Sequence, residues 1–182
     1  MASLKDIRDR IKSVKSIQKV TSAMKMVAAA KVRKAQEKME QARPYTSALE
    51  ETINHILPDV NRGDLDLLNV REIKRKAYVI VSADRGLAGG FNSNIIKVSE
   101  KEIAEFGKEN VDLFCIGKKA RDHFKRRDYN IVENHIDFWS ELNFDNAMMI
   151  GRSAIEHFTS GKVDEIHVIY NYFVNMAQQE IK

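Results

Sequence analysis

The groups that could do chemistry in this sequence gather in one short run, Asp84-Arg85-Gly86-Leu87-Ala88-Gly89-Gly90-Phe91-Asn92. It follows an apolar, β-branched segment and precedes a helical pattern, so it reads as a glycine-rich turn from strand to helix. Such a turn can aim backbone N–H groups and a helix N-terminus at a phosphate. The spacing, however, fits neither GxGxxG nor GxxxxGK[ST], and the Lys and Ser/Thr that a phosphate loop needs are missing. The competing reading is a tight turn whose glycines admit positive φ and close helix–strand packing. Asp84 and Arg85 can pair and hold the loop, but the motif offers no partner for a general acid.

Other candidates are weaker. His55, His123, His135, His157 and His167 form no HxxxH or HExxH pair, and read as helix-surface or strand residues rather than ligands. The single cysteine, Cys115, lies between Phe114 and Ile116 and reads as a small buried hydrophobe with nothing to lower its pKa. One Cys also excludes an internal disulfide framework or a Cys-based zinc site. Trp139 follows Phe138 in a connecting segment, where packing is the expected role. Lys118, Lys119, Arg121, Lys125, Arg126 and Arg127 make a basic cluster, read first as a solvated helix face and second as a surface for an acidic partner. No nucleophile–base arrangement emerges, and no catalytic residue, metal or cofactor is expected.

The elements that position these residues alternate between strand and helix. Ala77–Asp84 is a short β-branched strand, and a helix capped by Asn92 or Ser93 runs to about Lys108. Val111–Gly117 is a second strand, Lys118–Arg127 a charged helix and Tyr129–His135 a third strand. Phe144–Phe158 has helical periodicity, with Gly161 as its stop, and Glu165–Val174 is a last strong strand. Asn175–Lys182 has room for a turn and the start of one more strand. The pattern predicts a small, mainly parallel, Rossmann-like α/β body over 77–182, preceded by a polar linker over 58–76.

Residues 1–57 differ in kind. No glycine precedes Gly63. Residues 1–43 carry 12 basic side chains against 4 acidic ones, so an arm of net +8 is joined to a remainder of −4 within a chain of +4. Positions seven apart read Ile7, Val14, Thr21, Ala28, Ala35, Ala42, Leu49, Ile56, with a companion series through Leu4, Ile11, Val32, Met39 and Ile53. That is a heptad stripe on one long coiled-coil-type helix. Pro44 is expected to kink it or start a second helix, and Pro58 to stop it. At about 1.5 Å per residue the helix would reach roughly 85 Å. A body of this size spans about 30–35 Å. A second apolar row, Ile17, Val20, Met24 and Val27, lies beside the first, so the helix asks for several neighbours. Three readings stay open: a dimeric coiled-coil interaction module, a shaft gripped by other subunits, and a basic arm on nucleic acid. Against the last, no aromatic residue precedes Tyr45. No apolar run is long enough to span a membrane, and the start is neither a signal peptide nor a convincing transit peptide, so a cytosolic, reducing setting is expected.

Two long stretches, Ile7–Gln36 (IRDRIKSVKSIQKVTSAMKMVAAAKVRKAQ) and Ser82–Asn92 (SADRGLAGGFN), resemble the γ subunit of F-type ATP synthases, and NYFVNMAQQ resembles that family's strand and following turn. The resemblance covers essentially the whole chain. It implies a non-catalytic rotor of the central stalk, coupling c-ring rotation, driven by protons, to conformational change in the catalytic β subunits. It implies that Lys19, Thr21, Ala23, Met24, Met26, Val27, Ala28, Ala29 and Lys31 face β-subunit levers and a partner helix. It also implies that Asp84, Arg85, Gly86, Leu87, Gly89, Gly90, Phe91 and Asn92 form a signature turn without chemistry of its own. The implied partners are the α and β subunits, the ε subunit and the c-ring, with no nucleic acid and with membrane contact only through the c-ring. The implied location is the cytoplasmic face of a bacterial plasma membrane, as a peripheral protein. Family members run longer, with a C-terminal helix that completes the shaft, so this chain is expected to be C-terminally incomplete. The redox-regulated insertion of the chloroplast version is absent.

Overall fold

A computed structural model describes residues 3–61, 63, 65–137, 139, 143–175 and 178–182. Phe138, and Met176 and Ala177 of the NYFVNMAQQ segment, lie outside them. The chain divides into two compact units, residues 1–60 and 61–182.

The first unit is dominated by one helix, α1 (Leu4–Ile56, 53 residues). Its start is fixed by a capping box. Ser3 Oγ accepts the Lys5 N–H at 3.1 Å, and Asp6 Oδ2 accepts the Ser3 N–H at 2.9 Å. A composition rich in Ala, Lys, Glu, Gln and Met and free of glycine sustains it. Pro44 stands inside the helix and starts no second one. It gives up one backbone bond there, while Thr46 Oγ1 donates to the Ala42 carbonyl at 2.8 Å. No residue of α1 is buried.

The second unit is a three-layer α/β body. Its strands are β1 (Lys76–Val81), β2 (Val111–Ile116), β3 (Ile131–His135) and β4 (Glu165–Ile169), and its helices are α2 (Phe91–Phe106), α3 (Lys118–Lys125) and α4 (Phe144–Thr159). The four strands are parallel in the order β3-β2-β1-β4. Alternation along β1 explains the layers. Tyr78 and Ile80 pack with Ile95, Ile103, Leu113, Cys115, Ala120 and Phe124 beneath α2 and α3. Ala77 and Val79 pack with Phe114, Ile116, Phe158 and Val163 beneath α4. The chain steps from β1 to β2 to β3 with helices on one face, then returns past β1 to β4 with α4 on the other. Crossovers of one hand require that switch of face when the direction of travel reverses.

Three expectations need correction. Glu165–Val174 is not one strand. Register with β1 ends at Ile80↔Ile169, and Tyr170 instead exchanges backbone bonds with Lys182 at 2.9 and 3.0 Å. This starts a separate antiparallel hairpin of β5 (Asn171–Phe173) and β6 (Gln179–Ile181). Helix α2 begins at Phe91 with Gly90 as N-cap and no side-chain cap, because the Asn92 side chain is engaged elsewhere, as described below. The end of the 58–76 linker is bonded into the body: the Lys74 and Arg75 N–H groups both donate to Asp164 Oδ2 at 2.9 Å.

Candidate functional site

The run Asp84–Asn92 leaves the C-terminal end of β1, beside the point where strand order reverses between β1 and β4. In open α/β sheets that is where ligands bind. Here the polar groups of the turn bond to the fold instead. Asp84 Oδ1 accepts the Lys118 N–H at 2.8 Å, and Asp84 Oδ2 accepts the Asp137 N–H at 2.9 Å. Asn92 Oδ1 accepts the Ala83 N–H at 2.9 Å, and its Nδ2 donates to the Arg85 carbonyl at 3.2 Å. Ser82 completes the clasp. Its Oγ accepts the Ala120 N–H at 2.9 Å and donates to the Ile116 carbonyl at 3.2 Å. The free N–H groups at the start of α3, where an anion would dock, are thus taken by Asp84, by Ser82 and by the Ala83 carbonyl, which accepts from Lys119 at 3.1 Å.

This packing requires glycine at one site. Gly117 has φ +98°, and a Cβ there would lie 2.1 Å from the Ser82 carbonyl oxygen. Within the turn, Gly89 takes positive φ (+55°), as does Leu87 (+58°), whose side chain stands fully in solvent. Arg85, Gly86 and Gly90 are exposed, while Asp84, Phe91 and Asn92 are half-buried. A cavity of about 570 Å³ adjoins the turn, lined by Ala88, Gly90, Phe91, Asn94, Asn171, Gln179 and Ile181. None of these side chains can serve as an acid, a base or a nucleophile at neutral pH.

The residues read from the arm lie on α1 and are all exposed. At 3.6 residues per turn they do not share a face. Lys19, Ala23 and Met26 lie on one side, Met24 and Lys31 on another, Thr21 and Ala28 on a third, and Val27 and Ala29 between. They circle the helix rather than converge. Thr21 Oγ1 donates to the Ile17 and Gln18 carbonyls at 2.8 and 3.0 Å, which removes its polarity from the surface. Beside them stand Val14, Ile17 and Val20, between 57 and 62 % exposed.

These observations are matched by relatives. The family model described as ATP synthase matches residues 3–182. The chain is 42% identical over 180 residues to the ATP synthase gamma chain of Pelotomaculum thermopropionicum, covering 99% of this chain and 63% of that one. The chain belongs to the ATP synthase gamma family. It is also 39% identical to the sodium-ion-specific gamma chain of Acetobacterium woodii, covering 97% of this chain and 58% of that one. Among solved structures it resembles a chain from the central stalk and c-ring of the Tetrahymena thermophila mitochondrial ATP synthase. The TM-score is 0.67 at 24% identity, over 90% of this chain and 70% of that one. That likeness shows the fold, a long N-terminal helix with a parallel α/β body. The chain spans a little under two thirds of the length of the curated gamma chains it matches.

Sequence reasoning missed a set of polar contacts in this gamma-family body. His123, His135, His157 and His167 each sit against a carboxylate, of Glu100, Glu133, Asp112 and Glu165 respectively. The most buried is Asp112. Its Oδ2 lies 2.7 Å from His157 Nε2, and its Oδ1 accepts from Arg75 Nη2 and Asn130 Nδ2, both at 2.7 Å. Burial would raise the Asp112 pKa, but the bonds from His157, Asn130 and Arg75 together hold it below the usual carboxylate value. The partners lie 18 to 45 residues from Asp112 in sequence, so no local spacing announces them. Burial pushes the Cys115 thiol up to about 12, the opposite of a reactive cysteine. The basic cluster on α3 is partly paired, with Arg121 on Asp122 at 2.6 Å and Arg127 on Glu100 at 3.5 Å. Among the described residues no group of His, Cys, Asp and Glu could hold a metal ion, and no helix is long and apolar enough to cross a membrane.

Proposed function

We propose that the chain is a rotor subunit of the central stalk in an ion-translocating F-type ATP synthase, without an active site of its own. It couples rotation of a membrane c-ring to conformational change in catalytic β subunits. The observation that carries this reading is α1, 53 residues of helix with apolar side chains on adjoining sides and none of them buried. Each such side chain left in water forgoes about 1.5–3 kcal/mol, and packing supplies most of the stability of helices in proteins. A surface of this kind is made for other chains. The encircling arrangement of Lys19, Thr21, Ala23, Met24, Met26, Val27, Ala28, Ala29 and Lys31 suits a shaft held by a ring of subunits. A dimeric coiled coil uses one seam, and a phosphate-tracking arm would leave the apolar rows unexplained.

The partners under this reading are the α and β subunits around α1, with the ε subunit and the c-ring against the body. The location is peripheral, on the cytoplasmic face of a bacterial plasma membrane, with membrane contact only through the c-ring. Small residues keep the helix slim where it is gripped, and its cations meet acidic segments of β. The turn Asp84–Asn92 serves as a clasp that makes the body stiff enough to transmit twist. Protons are the proposed coupling ion. The test is to assemble the complex with this chain and follow ATP-driven ion uptake into vesicles, with and without sodium. Uptake that depends on the chain is the expected result. A tight parallel dimer of the isolated chain, or salt-dependent DNA binding at physiological ionic strength, would overturn the reading.

A further inference from the structure

The imidazole of His123, on α3, lies between a carboxylate and a guanidinium. Its Nε2 is 2.8 Å from Glu100 Oε1 on α2, and its Nδ1 is 3.2 Å from Arg127 Nη1, just past the end of α3. A guanidinium can only donate hydrogen bonds, and an ionised carboxylate can only accept them. Those partners leave the ring one neutral form. Nδ1 carries the lone pair that accepts from Arg127, and Nε2 carries the proton donated to Glu100. Other charged and titratable groups border these three. Lys97, one turn before Glu100 on α2, is exposed. Lys119, one turn before His123 on α3, has its Nζ 3.6 Å from where a Cβ on Gly86 would stand. Asp122 is held by Arg121, and Arg126 Nε donates to the Asp122 carbonyl. Lys108 Nζ lies over the Tyr129 ring at 4.5 Å and donates to the Arg127 carbonyl at 2.6 Å. Glu133 of β3 is bound to His135 and to Ser153 of α4. The turn to which Arg127 belongs is strained. Asp128 takes φ +55°, a left-handed conformation that residues other than glycine adopt at a cost. The Asp128 N–H donates to the Lys125 carbonyl at 3.3 Å and the Tyr129 N–H to the Phe124 carbonyl at 3.2 Å, and the Arg127 side chain ties the same turn to His123.

We propose that His123 is a proton-operated latch on this turn, which holds Arg127 while the ring is neutral and releases it when the ring is protonated. The proton adds at Nδ1, the one ring nitrogen that lacks a hydrogen. That turns an acceptor into a donor and sets two cations face to face, so Arg127 loses its seat. Glu100 then faces an imidazolium and holds it more strongly than a neutral ring. The ring thus gives up one partner and tightens on the other, and the strained turn loses one of its ties. Histidine changes charge between about pH 5 and 8, so the exchange falls near neutrality. As pH falls, the exposed cations Lys118, Lys125 and Arg126 are joined by one more charge and a released guanidinium. The latch lies within the body and does not depend on the rotor reading.

The experiment follows the full chain by NMR with isotope-labelled histidine from about pH 5 to pH 8. Over the same range it reads amide protection at Asp128 and Tyr129, as the exchange rate relative to an unstructured peptide at the same pH. His123→Gln identifies the His123 signals by their loss. At the upper end Nδ1 of His123 is expected to show the shift of a bare nitrogen and Nε2 that of a protonated one. As the ring takes its proton, protection at Asp128 and Tyr129 is expected to fall by about threefold or more. With Arg127→Ala the ring is expected to take its proton at higher pH than in the unsubstituted chain, because the opposing cation is gone. The amide of His123→Gln can accept from Arg127 and donate to Glu100 at every pH, so protection there is expected to stay constant. The opposite tautomer overturns the latch, as does a His123 titration that Arg127→Ala leaves unmoved. It is equally overturned by protection that ignores the titration in the unsubstituted chain, or by a fall that persists in His123→Gln.

Discussion

In the body, Ile80, Ile95, Ile103, Leu113 and Phe124 are wholly excluded from solvent, while in α1 Ile11 is 50 % exposed, Ile17 62 % and Met24 63 %. Both regions are rich in the same residue types, and both have a regular apolar period. In the body the period of two along β1 and β2 is answered by helices of the same unit on both faces. In α1 the period of seven is answered by nothing among the described residues. The comparison teaches that apolar periodicity records a neighbour without saying whose neighbour it is. Where it is answered within the unit it predicts stability, and where it is not it predicts assembly.

The contrast is broken most directly by truncating one large side chain in each region. Phe124→Ala empties a site where the ring meets Tyr129 edge-on at 5.0 Å, and should cost about 3–5 kcal/mol. Ile11→Ala should change the stability of the chain by no more than about 0.5 kcal/mol. Urea unfolding followed separately by tertiary and helical signals measures both. Equal losses would mean that α1 is stabilised within the chain after all.

Next in size is the clasp. Asp84→Ala leaves the Lys118 and Asp137 N–H groups without their acceptor and removes the negative end at the start of α3. The expected loss is about 1–3 kcal/mol, read as a lower denaturation midpoint of the body with the helical signal of α1 kept. Loss of less than about 0.5 kcal/mol would mean that water replaces the carboxylate and that the turn is not a clasp.

The acid limb of stability sharpens the same contrast. Asp112, Asp164 and Glu165 have pKa values held below normal, and all three belong to the body. For Asp164 the cause is the pair of backbone donors from Lys74 and Arg75, and for Glu165 the bond from Lys76 and then that from His167. A carboxylate whose folded pKa is lowered contributes its stability in full above the unfolded value, near pH 4, and loses it as pH falls through the folded value. The body should therefore weaken steeply below about pH 4. Asp112→Asn should flatten that limb, by denaturation midpoints measured across pH 2 to 6. An unchanged slope would show that Asp112 carries none of it.

How much was legible in the sequence follows from the range of each interaction. The long helix, the parallel strands and the turn at Asp84 are written in neighbours within seven residues, and all could be read. Splitting Glu165–Val174 depended on Tyr170 bonding to Lys182 rather than continuing beside β1, a choice made by tertiary pairing and not by strand propensity. Asn92 looked like a cap because caps are local, yet its amide reaches back to Ala83 and Arg85. The His123–Glu100 contact and the Arg75–Asp112–Asn130–His157 network join residues far apart in sequence, so nothing local marks them. His157 looked like a helix-surface residue for the same reason. Glu133–His135 and Glu165–His167, in contrast, are two residues apart on one face of a strand, a spacing that could have been read. The site residues of α1 were named by motif resemblance, and the helix alone does not gather them on one face.

The smallest effect on stability should accompany the clearest effect on function. Met24 is 63% exposed on α1, so Met24→Lys removes no packing within the chain and keeps a good helix former. Unfolding should shift by less than about 0.5 kcal/mol. Under the rotor reading the same change would place an ammonium in a gripped, partly desolvated region, on the side of α1 that already carries Lys31. There it must be paired, expelled or neutralised, each at the expense of the fit. ATP-driven ion pumping should therefore fall relative to hydrolysis, although the isolated chain cannot be told from the unsubstituted one. Unchanged pumping would mean that this part of α1 faces solvent in the complex as it does in the free chain. The unanswered period would then lose its functional meaning where the sequence displays it most strongly.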